Sequence, residues 1–226
     1  EEMIGDGADV IDIGGESTRP GYTKISDDEE TGRVVPVIEA VKKEFGIPIS
    51  VDTYKSGVAE AAAQAGADLI NDIWGLKYDP HMSEVIAKSG LACCLMHNRD
   101  NTEYRNFMED IKQDLRETIA LAKAVGIADD KIILDPGVGF AKSYENNLEV
   151  IRRLKEFNEL KYPVLLGTSR KSVIGLTIDL PAAERVEGTI VTTVMAVEAG
   201  CMFVRVHDVK ENHRAIQMAE AILNRK

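Results

Sequence analysis

Seven short, β-branched apolar runs punctuate this sequence, at residues 8–13, 47–51, 68–70, 91–96, 131–134, 164–166 and 202–206. Between them lie segments whose apolar residues recur every three or four positions, as Val34, Val37, Ile38, Val41 and Phe45 do. Apolar continuity within a run means a strand buried on both faces, and strand–helix alternation along one chain means a parallel sheet covered by helices. Helices are expected at 31–45, 57–65, 82–88, 107–125, 145–157, 184–198 and 213–223. Gly46, Gly66, Gly90, Gly126 and Gly200 fall just past helical patterns, where left-handed C-caps belong. No linker or composition break interrupts the pattern, so residues 1–226 are expected to form a single domain.

Periodicity alone leaves two α/β architectures open, a doubly wound sheet and a closed (β/α)8 TIM-type barrel. Polar residues at the run ends decide. Glu16, Ser17, Thr18 and Arg19 follow the first run, Asp52 the second, Asn71 the third, His97 the fourth, Asp135 the fifth and Lys171 the sixth, while Arg205 and His207 close the seventh. An open sheet gathers its site at one switch point, whereas a barrel builds its mouth from every strand end. The barrel is therefore expected. Residues 1–7 read as the last turn of a helix stopped by Gly5 and Gly7. With seven runs instead of eight, the expectation is that the first strand and most of the first helix lie outside this chain, the alternative being a genuinely open seven-stranded sheet.

Charge excludes some partners. Lys plus Arg is 27 and Asp plus Glu is 38, giving a net charge of −11, which argues against nucleic-acid binding and against docking on an anionic membrane. No apolar run approaches the roughly 18 residues that cross a bilayer, and residues 1–5 show neither a basic region nor an apolar stretch of a targeting signal. Cys93, Cys94 and Cys201 form no C-x-x-C pattern and lie in or beside apolar runs, as reduced core thiols of a cytoplasmic protein would.

Asp52, Asn71, Asp135 and Lys171 are expected to converge on one pocket. Two carboxylates, an amide and an ammonium suit a flat heterocycle with alternating donors and acceptors. Arg205 and His207 alternate along a strand and so share a face, and with Arg19, in the glycine- and proline-bounded loop 14–21, they suit phosphate oxygens. Gly137-Val138-Gly139-Phe140 lacks the third glycine of a dinucleotide loop, since position 142 is Lys142, and reads as a tight loop carrying Phe140 toward the mouth. His81 and His213 read as surface residues at helix ends, His97 as a hydrogen-bonded wall residue, and Trp74 and Met96 as apolar walls. No H-x-H, H-E-x-x-H or cysteine cluster offers a metal site.

The stretches 9–21 (DVIDIGGESTRPG), 50–54 (SVDTY), 71–73 (NDI), 95–97 (LMH), 133–140 (ILDPGVGF), 167–172 (GTSRKS) and 204–209 (VRVHDV) resemble those of the dihydropteroate synthase family, in the same order along almost the whole chain. The resemblance implies a (β/α)8 barrel that joins 6-hydroxymethyl-7,8-dihydropterin diphosphate to 4-aminobenzoate, releasing diphosphate. It implies that Asp52, Asn71, Asp135 and Lys171 hold the pterin, with Ile73, Met96 and Gly167 lining its pocket. Arg205 and His207 would hold the diphosphate, and Thr18, Arg19, Phe140 and Ser172 would form the aminobenzoate site with Lys171. It also implies Mg²⁺, a cytoplasmic homodimer packed through the late helices, and a target for sulfonamides. The family's Asn-x-Thr-x-Asp-Ser-Phe loop, which helps bind Mg²⁺, does not occur here, so no metal ligand is expected in this chain and its own activity is expected to be weak or absent. Two alternatives stand beside this reading: a methyltetrahydrofolate–corrinoid methyltransferase-like protein and a non-catalytic fragment. Ser17-Thr18-Arg19-Pro20-Gly21, Ser169-Arg170-Lys171 and Arg205-Val206-His207 argue against the first, which has no diphosphate to hold.

Overall fold

A computed structural model describes residues 1–18 and 23–224. A short helix, α1 (Glu2–Gly5), precedes β1 (Ile11–Gly14), and the chain continues as α2 (Asp27–Glu44), β2 (Ile49–Asp52), α3 (Ser56–Ala65), β3 (Leu69–Asp72), α4 (Met82–Ser89) and β4 (Ala92–Met96). It goes on through α5 (Phe107–Ala124), β5 (Ile132–Asp135), α6 (Tyr144–Arg152), β6 (Leu165–Leu166), α7 (Ser172–Ile178), α8 (Val186–Ala199), β7 (Phe203–Val204) and α9 (Val209–Ile222).

The strands are neighbours in sequence order, β1 through β5 in one sheet and β6 with β7 in another, and every pairing whose register is resolved is parallel. A parallel bridge from Leu134 to Val164 joins the end of β5 to the approach of β6. A doubly wound sheet reverses its strand order at the switch point. No such reversal occurs among the described residues, which removes that alternative.

The chain divides into two compact units. The first comprises Asp9–Met96 and Arg116–Ile133, and the second comprises Glu1–Ala8, His97–Leu115 and Leu134–Lys226. In the first unit Ile49, Val51, Ile70 and Cys93 of the strands are fully buried, together with Ile38 of α2 and Val58 of α3. Burying each such side chain contributes roughly 1.5–3 kcal/mol. In the second unit Leu134, Val164, Leu166, Phe157 and Ala196 form the core. β2, β4 and β5 are buried at nearly every residue, which accounts for the apolar continuity of the β4 and β5 runs, whereas β2 buries the polar Ser50 among its apolar residues.

Several boundaries moved for physical reasons. α2 starts four residues before the expected Thr31 because Ser26 caps it: its Oγ accepts from Glu29 N at 3.2 Å, and Asp27, Asp28, Glu29 and Glu30 fill a first turn that favours negative charge. It ends at an extended Phe45, so Gly46 is not the left-handed cap. Gly66, Gly90 and Gly200 do take that role for α3, α4 and α8. The expected helix 145–157 breaks after Arg152 into a 3-10 segment, Leu154–Leu160. Helix α7 was not expected, because its run SVIGLTI is β-branched and shows no helical period. Gly175 within it leaves room for the Arg185 guanidinium, which would lie 2.1 Å from a Cβ there. That guanidinium donates to the carbonyls of Leu180 and Arg170.

Candidate active site

In the first unit, Gly14, Asp52 and Asn71 sit side by side at the carboxyl ends of β1, β2 and β3, paired in register. Residues opposite one another in adjacent strands share a face, and residues two apart do too. Asp12, Ser50, Asp52 and Asn71 therefore form one polar stripe, and Ser50 Oγ donates to Asp12 Oδ1 at 2.6 Å. Gly14 packs against Asp52: a Cβ there would lie at an ordinary contact distance, 3.4 Å from Asp52 Cβ and 3.9 Å from its Cγ. Ile73 and Met96 are buried in the same unit. Thr18 is half-buried, and Arg19 lies outside the described residues.

Asp72, beside Asn71, organises the turn that follows β3. Its carboxylate accepts from the backbone N–H of Trp74 and Leu76 at 2.8 and 2.7 Å. Burial nonetheless pushes its pKa up to about 6.

Glu16 behaves differently from the other strand-end residues. Its carboxylate accepts from Tyr54 OH at 2.5 Å, Ile25 N at 2.7 Å and Lys55 Nζ at 2.9 Å. Burial raises its pKa, but these bonds outweigh burial and hold it below the usual carboxylate range. Lys55 also pairs with buried Glu30 at 2.7 Å and donates to Ile25 O at 2.8 Å. Glu16 thus ties residue 16 to residue 25, closing the base of the segment that carries Thr18.

In the second unit Asp135 is the centre. It is 6% exposed and ends β5. Burial drives its pKa up, opposed by the positive charge of Lys171, by a hydrogen bond from Gly137 N at 2.7 Å, and by the charges of Lys142 and Arg205. Gly167 lies against both Asp135 and Arg205, since a Cβ on it would be 3.7 Å from Asp135 Oδ2 and 3.9 Å from Arg205 Cβ. Lys171 donates to Val138 O at 2.5 Å and stands 4.9 Å from the Phe140 ring centroid. Ser172, the first residue of α7, is exposed.

Arg205 and His207 are both exposed, with Val206 half-buried between them. Strand β7 ends at Val204, with Arg205 N still donating to Leu166 O at 3.0 Å, so strand pairing reaches Arg205 but not His207. Ser169 pins His207 instead: its Oγ lies 2.8 Å from His207 Nδ1 and accepts from His207 N at 3.1 Å. Arg170 holds Asp208, the N-cap of α9, through two hydrogen bonds of 3.0 and 2.5 Å.

His97 is the wall residue expected, but it is part of a chain of charges. Lys142 Nζ donates to its Nδ1 at 2.9 Å, and its Nε2 lies 3.0 Å from Asp114 Oδ2. The ionised Asp114 carboxylate can only accept, so Nε2 carries the hydrogen and Nδ1 of the neutral ring accepts. Burial pulls the His97 pKa down to about 4, with Asp114 opposing and Lys142 adding to the shift. Among the described residues no group of three or more His, Cys, Asp or Glu side chains is arranged to hold a metal.

The pterin-binding enzyme family model matches residues 1–207 of this chain. A dihydropteroate synthase of Clostridium beijerinckii is 60% identical over 226 residues, covering 100% of this chain and 84% of that protein. The solved dihydropteroate synthase of Clostridium difficile, obtained in the presence of pteroic acid, superposes with a TM-score of 0.96 at 51% identity, covering 98% of this chain and 84% of the other. That of Xanthomonas albilineans with 4-aminobenzoic acid gives 0.95 at 38% identity, covering 98% and 82%. The chain belongs to the dihydropteroate synthase family of pterin-binding enzymes. Its fold class is the family's α/β barrel of the TIM type, as strand-end polarity predicts. Membership in the dihydropteroate synthase family sets aside the corrinoid methyltransferase alternative.

Three residues of this family member escaped the sequence reading. Lys142 figured only as the residue that breaks a glycine pattern, although a lysine two positions past a glycine-rich turn is a signal. Asn147 of α6 accepts from Gly139 N at 2.6 Å and donates to Ser143 O at 2.8 Å, holding the same loop. Ser169 lay within a quoted motif without a role. His81 is exposed as expected, but His213 is half-buried within α9, its ring so close to Gly7 that a Cβ there would lie at 2.8 Å.

Proposed function

We propose that this chain acts as a dihydropteroate synthase, condensing 6-hydroxymethyl-7,8-dihydropterin diphosphate with 4-aminobenzoate to give 7,8-dihydropteroate and diphosphate. The observation that carries the reading is a buried Asp135 carboxylate surrounded by the charges of Lys171, Lys142 and Arg205. A carboxylate kept in a buried, cation-rich setting is suited to accept two N–H bonds from the guanidine-like edge of a pterin. Asp52 and Asn71 are the proposed pterin readers of the first unit, with Ile73 and Met96 as apolar walls, and Gly167 lies beside Asp135 where a flat ring needs clearance.

Arg205 and His207 are assigned to the diphosphate. As the C–O bond of the substrate breaks, negative charge grows on the leaving diphosphate, and positive or hydrogen-bonding groups aimed there lower the barrier. The pterin methylene becomes electron-poor, and the ring itself and Asp52 are proposed to stabilise it. The aromatic amine is already a nucleophile and needs placing more than activating. Lys171, the Phe140 ring, Ser172, Thr18 and Arg19 are the groups proposed to place it. Sulfonamide-class mimics of 4-aminobenzoate would compete there.

Mg²⁺ belongs to this reading as a companion of the diphosphate. Mg²⁺ keeps several waters and is held by one or two protein oxygens plus phosphate oxygens, so it needs no dedicated cage, and it would supply further charge neutralisation when bound. We place the enzyme in the cytoplasm, as a homodimer packed through the late helices, with residues 1–226 acting as one pterin-binding domain. Exposed Leu176, Val191 and Met218 on α7, α8 and α9 are consistent with such packing. Among the described residues no helix is long and apolar enough to cross a membrane.

Calorimetry with 6-hydroxymethylpterin diphosphate tests the assignment. Asp135→Asn removes a charged acceptor of two hydrogen bonds and is expected to weaken binding about tenfold or more. Unchanged affinity would remove Asp135 from the ring-reading role.

A further inference from the structure

We infer that Lys142 is a positioning residue: seated on His97 and on two loop carbonyls, it holds the turn at residues 137–140 in the shape that presents Val138 O and the Phe140 ring to Lys171. The inference deepens the function proposed above and rests on it.

The geometry is specific to an ammonium. Lys142 Nζ lies 2.9 Å from His97 Nδ1, 3.0 Å from Gly137 O and 3.1 Å from Phe140 O. These are three acceptors for three N–H donors, whereas a neutral amine has only two. The turn itself is tight, with Phe140 N donating to Gly137 O at 3.1 Å and positive φ at Gly137, Gly139 and Ala141. The far side of the lysine is fixed by a second tier. Asp114 on α5 accepts from His97 Nε2, and Arg99 Nε donates to the same carboxylate oxygen at 2.5 Å. Tyr104 OH donates to Ala141 O at 2.8 Å and steadies the end of the loop. A change at Lys142 therefore reaches Lys171 through a short path of hydrogen bonds, with no contact to substrate required.

The charged and titratable groups facing Lys142 are His97 and Arg99 after β4, Asp114 on α5, Asp135 at the end of β5, and Lys171 before α7. Burial pulls its pKa down to about 7, opposed by Asp135, reinforced by Lys171 and Arg99, and opposed again by Asp114. The ammonium that three acceptors require is thus close to losing a proton near neutral pH. Above that pH one acceptor loses its donor, and the turn loosens.

Calorimetric titrations of 6-hydroxymethylpterin diphosphate into the full chain at pH 6 and pH 8.5, for wild type, K142R and K142M, test this. Wild type is expected to bind several-fold more weakly at the higher pH. K142R, whose guanidinium stays charged, is expected to bind with little change between the two. K142M is expected to bind about tenfold more weakly than wild type at pH 6, with the pH step gone. The ligand titrates alike in all three proteins, and wild type and K142R differ at this site in whether residue 142 loses its proton between the two pH values, so that comparison isolates Lys142. ¹⁵N spectra of His97 give an independent reading: Nδ1 should move through the Lys142 titration in wild type and stay fixed in K142R. A purely structural lysine would weaken K142M but leave the same pH step in K142R, and that result would overturn the inference, as would a K142M protein with wild-type affinity and profile. Absence of pterin diphosphate binding by wild type would instead overturn the proposed function, and this inference with it.

Discussion

Replacing Gly137 by alanine should destabilise the second unit by roughly 2–4 kcal/mol, from two separable causes. Gly137 has φ +72, a left-handed conformation that costs an alanine about 1 kcal/mol relative to glycine. In addition, the new Cβ would lie 2.0 Å from the carbonyl oxygen of His97 and 3.2 Å from Lys142 Nζ. Backbone must therefore move by about 1 Å, and forcing a side chain into a filled site costs about 1–3 kcal/mol. Gly200→Ala is the internal control. It too is left-handed, at φ +86, but its nearest neighbour is Asn158 Nδ2 at an ordinary 3.6 Å, so only the conformational cost of about 1 kcal/mol applies. Urea unfolding at pH 7 measures both. With a slope of about 2–3 kcal/mol/M, the two midpoints should differ by about 0.3–1.5 M at unchanged slope. Equal midpoints would refute the steric contribution and with it the close approach of residue 137 to His97.

Two further perturbations probe the buried charges. His97 has a folded pKa near 4, below the unfolded value of about 6.5. Between those values the unfolded chain binds a proton that the fold excludes, so stability is full above pH 6.5 and falls as pH drops toward 4, by up to about 3 kcal/mol. Urea midpoints taken across that range should show the slope, and His97→Asn should reduce it by close to one proton; an unchanged slope would contradict a neutral His97. Lys55→Met leaves Glu16 and Glu30, with side chains 2% and 1% exposed, without their shared cation. A loss of about 3–5 kcal/mol is expected, and a thermal midpoint within a degree of wild type would show that the cluster does not need its lysine.

Much of the candidate site was legible because its residues announce themselves locally. Asp52, Asn71 and Asp135 each follow an apolar run directly, and a strand's polar end is a feature of a few consecutive residues. Arg205 and His207 were legible as a pair, but the β6–β7 ladder ends at Arg205 N and does not reach His207. What orients His207 is Ser169, 38 residues away in sequence. The helix α7 was hidden for a similar reason. Its β-branched run favours a strand, and the Arg185 side chain that crosses Gly175 comes from outside it.

By itself, the sequence determined the parallel α/β order, the burial of the central strands, and the placing of polar groups at strand ends, because hydrophobic period and run length are properties of neighbouring residues. Tertiary structure alone decided which charges meet. Lys142 reaches His97 across 45 positions, and Lys55 reaches Glu16 across 39. No local pattern encodes such pairs, yet leaving a buried charge without a partner costs several kcal/mol, so the folded chain brings them together.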